Sequence, residues 1–228
     1  MQALPVHPFL RGVVAKAFVT GHASADTYRV MPSVYTVIGF QFEGRIDHVS
    51  ENRALSIFGV TGILDKWREF RSEPKTESLL LFFEPGGFYR LFGAVAGELG
   101  SASLAMHDVV PSRVTRGISE ILETGKELSQ KWQRVQHLLL QLLSRDLSPE
   151  AMGALYHLQT NRGERRISQI AKDLAVSPRT LERRFAAQIG ASPKHLARIM
   201  RWREAMQNLS RARAGKFCRA VSGGLVPD

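Results

Sequence analysis

The spacing of apolar residues changes period along this chain. From about Phe18 to Val110 the apolar stretches are short and punctuated by Gly, Pro and Ser, as in SVYTVIGFQFEG, ALSIFGVTGIL, SLLLFFEPGG and FYRLFGAVAG. Alternation at Val37-Ile38-Gly39-Phe40-Gln41-Phe42, with frequent β-branched and aromatic residues, predicts strands of a β-barrel or sandwich joined by Gly-rich turns. After Pro85-Gly86-Gly87 the pattern fits either another strand or a short helix.

A helical period takes over at Ser112. Ser112–Leu122 and Lys126–Ser144 both carry it, and Leu128, Trp132, Val135, Leu139 and Leu142 form a stripe on one face of the second. Such a stripe serves either as a dimerisation seam or as the face that packs on the barrel or on the next helix, Pro149–Gln159. His157–Arg166, rich in charge and holding Asn161 and Gly163, reads as a tether.

From Ile167 to Leu209 the pattern is helix, tight turn, helix, then a long third helix. Ile170, Ala171 and Leu174 share one face, and Leu181, Phe185 and Ile189 recur at helical spacing. The turn Ala175-Val176-Ser177 is short enough to make the helices cross steeply. Ser177 caps the second helix and Pro178 suits its first position, having no N–H to satisfy. Ser192-Pro193 opens the third helix in the same way. The face left to solvent holds Arg179, Thr180, Glu182, Arg183 and Arg184. Guanidinium forks match guanine edges, and a helix start favours phosphate. This is a helix-turn-helix whose recognition helix spans residues 178–189.

Charge is partitioned in the same way. Residues 162–219 hold 15 basic and 4 acidic side chains, whereas residues 1–161 hold 16 of each. A field concentrated on one segment points to a polyanion, and the compact helix-turn-helix pattern favours double-stranded DNA over a membrane surface.

The stretch LAVSPRTLERRFAAQIGASPKHLARIMRWREA resembles the first helix-turn-helix and connecting helix of the arabinose-regulator (AraC-type) transcription factors. The matching positions are Ala171, Leu174, Ser177, Thr180-Leu181, Arg183-Arg184-Phe185, Gly190, Ser192-Pro193, Arg201 and Ala205. Ala175 stands where many such turns carry Gly. The N-terminal half is similar, more loosely, to the sensor domain of a subgroup of these regulators. The positions are Pro5, Pro8, Leu10 and Val13, then Arg29-Val30-Met31-Pro32, Phe83-Glu84-Pro85-Gly86-Gly87, Gly93 to Leu99, Leu104 and Asp108-Val109. The resemblance implies a cupin-like barrel that senses a small-molecule effector or mediates pairing into a homodimer.

The expected fold class is therefore α+β. A β-rich sensor-like domain spans residues 1–111, and a helical linker with possible dimerisation surface spans 112–160. The helix-turn-helix with its connecting helix spans 161–209. The remainder, SRARAGKFCRAVSGGLVPD (210–228), reads as a disordered tail. The second helix-turn-helix that the resemblance calls for is expected to be lost by truncation. That loss would weaken specific binding and expose Ile199, Met206 and Leu209, which the missing unit would cover.

Other chemistry finds little support. The seven histidines are scattered singly, Cys218 is alone, and no pair has metal-ligand spacing. There is no nucleophile elbow, phosphate loop or dinucleotide fingerprint, so no enzyme, metal or cofactor is expected. Apolar runs are short and the N-terminus lacks the form of a signal peptide, so a soluble cytoplasmic protein without membrane contact is expected.

In the first functional reading, Arg179, Glu182 and Arg183 face bases. Thr180, Arg184, Lys194, His195 and Arg198 lie near phosphate, Thr180 also reaching a base. In the second, the chain is a ligand-sensing or protein-interaction module whose DNA-binding half is a remnant.

Overall fold

A computed structural model describes residues 1–93, 96–125 and 127–222, with side chains as far as Leu209. The strands are β1 (Gln2–Leu4), β2 (Val14–His22), β3 (Asp26–Val30), β4 (Thr36–Glu43), β5 (Ile46–His48), β6 (Arg53–Ala54), β7 (Phe58–Thr61), β8 (Arg68–Ser72), β9 (Thr76–Phe83) and β10 (Ser103–Ala105). The helices are α1 (Gly87–Phe92), α2 (Ala96–Leu99), α3 (Met106–Val109), α4 (Ser112–Glu123), α5 (Leu128–Leu142), α6 (Pro149–Thr160), α7 (Ile167–Asp173), α8 (Pro178–Ile189) and α9 (Pro193–Ser222). The protein is thus α+β, with the sheets first and the helices after.

Two antiparallel sheets face each other. One has the order β1-β2-β9-β4-β7-β10, the other β3-β8-β5-β6. Alternation sets the two faces of β9: Leu79, Leu81 and Phe83 are buried in the main core, whereas Ser78, Leu80 and Phe82 line a cavity between the sheets. After Pro85-Gly86-Gly87 the chain forms the short helix α1, the second of the two forms its pattern allowed.

The stripe on α5 is spent inside the molecule. Trp132, Val135 and Leu139 are at most 1% exposed and share a core with Ile38, Phe40, Leu79 and Leu81 of the large sheet and with Ile118 and Leu122 of α4. Those three take the packing face, while Leu128 and Leu142 of the same stripe are half-buried. Lys126, which begins the helical pattern in the sequence, lies outside the described residues. The N-terminal arm is tied to the same helix: Trp132 Nε1 donates to Pro5 O at 2.6 Å, and His7 N–H donates to Gln136 Oε1 at 2.5 Å.

A second core is built from Ala151, Ala154, Leu155 and Leu158 of α6, Ile170 and Ala171 of α7, Leu181, Phe185 and Ile189 of α8, and Leu196, Ala197 and Ile199 of α9. Two residues of the sheet region, Val34 and Ile63, belong to it as well. Ile199 is 2% exposed, against the expectation that it lies bare, while Met206 and Leu209 are exposed. The helix that begins at Pro193 does not stop at Leu209 but runs to Ser222, through part of the stretch expected as a disordered tail. Arg211-Ala212-Arg213-Ala214, Lys216 and Arg219-Ala220 are strong helix formers, and they outweigh the single Gly215. Residues 223–228 of that expected tail lie outside the described residues.

Candidate nucleic-acid interface

Local chemistry starts the recognition helix where the sequence places it. Ser177 Oγ accepts the Thr180 N–H at 3.1 Å, satisfying one of the free donors of the first turn, with Pro178 at the first helical position. The turn before it is closed by Ala175 at φ 53°, a left-handed conformation in which glycine carries less strain. At the far end Gly190 terminates the helix at φ 86° and donates to Ala186 O. Ser192 Oγ accepts the His195 N–H at 3.2 Å and caps α9.

The predicted contact residues divide into three groups. Arg179, Glu182 and Arg183, on the first half of α8, and Lys194, on the first turn of α9, are exposed, and no ion pair engages them among the described residues. Thr180 is half-buried, its hydroxyl 2.9 Å from that of Ser177, so it serves the cap. Arg184 and Arg198 are paired with acidic residues, and the His195 ring lies beside one, its Nε2 buried without a hydrogen-bond partner. Arg184 Nη1 bonds Glu150 Oε1 at the start of α6. Arg198 Nη2 lies 3.4 Å and His195 Nε2 3.7 Å from Asp65 Oδ2, in the loop after β7.

Sequence reasoning missed Glu150 and Asp65. Each is a lone acid remote in the chain from its partner, and nothing in their local pattern marks them. It also missed how closely the sheet region docks on the recognition helix. A Cβ placed on Gly97 would lie 3.0 Å from Ala187 Cα, so α2 meets the second half of α8 closely enough that a side chain there would force the backbone to shift. The same approach puts Ala96 O 2.7 Å from where a Gly190 Cβ would stand. Gly97 and Ala96 lie in the Gly93–Leu99 element noted in the sequence; its residues 94 and 95 are outside the described set. On α9, the Arg203 guanidinium sits 5.3 Å over the Tyr35 ring. The sheet region thus meets the second half of α8, while Arg179, Glu182 and Arg183 lie exposed on its first half.

No protein-family model matches this chain, and no curated protein matches it. Solved structures do. The chain is similar to ToxT from Vibrio cholerae at 11% identity and a TM-score of 0.43, over 84% of this chain and 82% of that one. It is likewise similar to ToxT from Vibrio cholerae strain SCE256 bound to an unsaturated fatty acid, at 9% identity and a TM-score of 0.43, over 86% and 80%. A third is the AraC-like transcriptional activator CuxR, at 15% identity and a TM-score of 0.32, over 87% and 88%.

Among the described residues no helix is long and apolar enough to cross a membrane, and no group of three or more His, Cys, Asp or Glu could hold a metal ion.

Proposed function

We propose that this chain is an AraC-type, DNA-binding transcription regulator that reads the major groove with residues 178–189. The observation that carries the reading is the capped, solvent-facing start of α8, with Arg179, Glu182 and Arg183 exposed and unpaired beside the helix N-terminus. In this reading those three face base edges, and Lys194 at the start of α9 faces phosphate. Arg198 and His195 join Lys194 at the backbone once Asp65 lets go, and the cavity between the sheets receives a small-molecule effector. One such unit reads few base pairs, each good bidentate contact being worth roughly 1–3 kcal/mol. Two copies on adjacent half-sites would double the bases read, and a homodimer on DNA is part of the proposal.

The test is fluorescence anisotropy of the chain against its own upstream DNA and a scrambled duplex, at about 50 and 200 mM salt. A preference for the upstream duplex at both salts is the expected result. Equal affinity for both, collapsing with salt, would instead favour the second reading, a sensing or interaction module that keeps the charge without the specificity. The hold of Asp65 on Arg198 and of Glu150 on Arg184, two of the predicted phosphate contacts, is the observation on that side.

A further inference from the structure

Helix α4 carries four charged residues on the side turned away from the core. Val114, Ile118 and Leu122 are buried in the main core, whereas Arg113, Arg116, Glu120 and Glu123 are exposed. Spaced three, four and three residues apart, the four fall on one stripe of the helix. The stripe is basic at its N-terminal end and acidic at its C-terminal end.

That order opposes the helix. Anions are favoured at a helix N-terminus and cations at its C-terminus, yet the first turn of α4 holds no acid and the last turn no base. Arg116 and Glu120 stand at i and i+4 in the less favourable direction. None of the four is in an ion pair among the described residues. Gly117 is a second anomaly, because glycine weakens a helix interior. Its surroundings do not demand it: a Cβ there would meet Leu138 Cδ2 at an ordinary 3.6 Å. Beside the stripe Ile57 is 65% exposed, on a groove that Phe58, Ser112, Arg116 and Glu123 also line.

A second α4 laid antiparallel on this face answers each point. With a two-fold axis level with Ile118, Arg113 faces the partner's Glu123 and Arg116 faces the partner's Glu120, and symmetry repeats both pairs. Each end of the helix then lies beside charges that suit its dipole, and Gly117 lets the backbones come close. Other occupants fit half of the stripe at most, since a nucleic acid meets Glu120 and Glu123 and a peptide of one charge sign meets its like. We propose that α4 is the surface through which two copies of this chain pair. The proposal deepens the homodimer part of the proposed function by naming its surface, and rests on that part and not on the reading of DNA. Charge pairs give an interface register more than affinity, so the dimer is weak without DNA and sensitive to salt.

Sedimentation equilibrium of the full chain without DNA tests it, at about 5 to 500 μM, a range suited to weak association. The expected result is a monomer–dimer equilibrium at least about fivefold weaker at high salt than at low salt. Arg113→Glu/Arg116→Glu makes the stripe wholly acidic, and Glu120→Arg/Glu123→Arg makes it wholly basic. Each change puts a charge where the helix dipole favours it, so both variants should fold, which melting curves check. Each alone should dimerise at least about tenfold more weakly than the parent, like charges now facing across the axis. Mixed in equal amounts, they should pair at least as tightly as the parent does, a recovery that misfolding cannot produce. The variant with all four changes keeps the self-complementary pattern and should dimerise as the parent does. A parent chain that stays monomeric throughout the range overturns the proposal. So do acidic or basic variants that dimerise like the parent, failure to pair on mixing, or a monomeric fourfold variant, since each places the seam elsewhere. Anisotropy on the same preparation decides separately whether the chain reads DNA.

Discussion

Asp65 Oδ2 lies 3.4 Å from Arg198 Nη2, joining the loop after β7 to the first turns of α9. Arg198 is a residue that the proposed function puts beside DNA phosphate, so the carboxylate and the DNA compete for one cation. The pair is partly exposed, and such contacts contribute about 0–1 kcal/mol. Asp65→Asn should therefore raise DNA affinity by a few-fold without changing which sequence is preferred. Anisotropy titrations of both duplexes check this; unchanged or weaker binding would mean that Asp65 does not restrain the interface.

Arg183 and Lys194 are both exposed and in no ion pair among the described residues, but they sit at different places relative to the recognition helix. Arg183→Ala should shrink the difference in affinity between the upstream and scrambled duplexes. Lys194→Ala should weaken both about equally and lower the steepness of the salt dependence. The opposite assignment of effects would reverse their roles.

Arg184 is held by Glu150, whose other carboxylate oxygen, Oε2, is buried without a partner. Arg184→Ala should lower the melting temperature of the chain and change DNA affinity less than Lys194→Ala does. A large loss of affinity with stability intact would place Arg184 on the DNA instead.

Leu139 is fully buried between α5 and the large sheet. Leu139→Ala should cost about 2–5 kcal/mol of stability, as buried Leu truncations do. Sedimentation of the folded variant should show the same oligomeric state as the parent. A variant that stays stable but changes its oligomeric state would restore the stripe as a seam between copies.

His48 is buried, and its Nδ1 accepts the Glu51 N–H at 3.1 Å. Burial lowers its pKa from the ordinary value; the Glu51 carboxylate opposes this, and Arg68 and Arg53 reinforce it. The unfolded chain then takes up the proton first. Stability is complete above about pH 6.5 and is lost as pH falls through that value towards the lower folded pKa. Melting temperatures measured from pH 7.5 to 5.5 should fall, and His48→Gln should flatten the fall. Parallel curves for the two proteins would assign the acid sensitivity to another group.

Much of this protein was legible in its sequence because the signals are local. Ser177 and Ser192 cap the helices that follow them, and Leu181, Phe185 and Ile189 face the core at the spacing that the helix imposes. The alternation at Val37–Phe42 foretold the strand β4, whereas the continuous apolar run of β9 marked a strand without saying which of its residues face the cavity. The short strands β5, β6 and β8 were harder: Arg68–Ser72 and Arg53–Ala54 are polar and gain their place only by pairing with neighbours. At the C-terminal end the sequence reading weighed Gly, Ser and charge too heavily, and the helix continued on the strength of its Ala and Arg.

What the sequence determined by itself was the sheet-then-helix order, the helix-turn-helix with its caps, and the concentration of net positive charge in residues 162–219. Each follows from residues within a few turns or strands of one another. Tertiary structure alone decided that the α5 stripe covers the large sheet, that α2 grips the far end of α8, and that Ser78 lines the cavity between the sheets. It also decided that Glu150 and Asp65 pair with Arg184 and Arg198, two of the cations predicted to meet DNA. A side chain's period says which face it occupies, but not what will come to lie against that face, because such contacts join residues far apart in the chain.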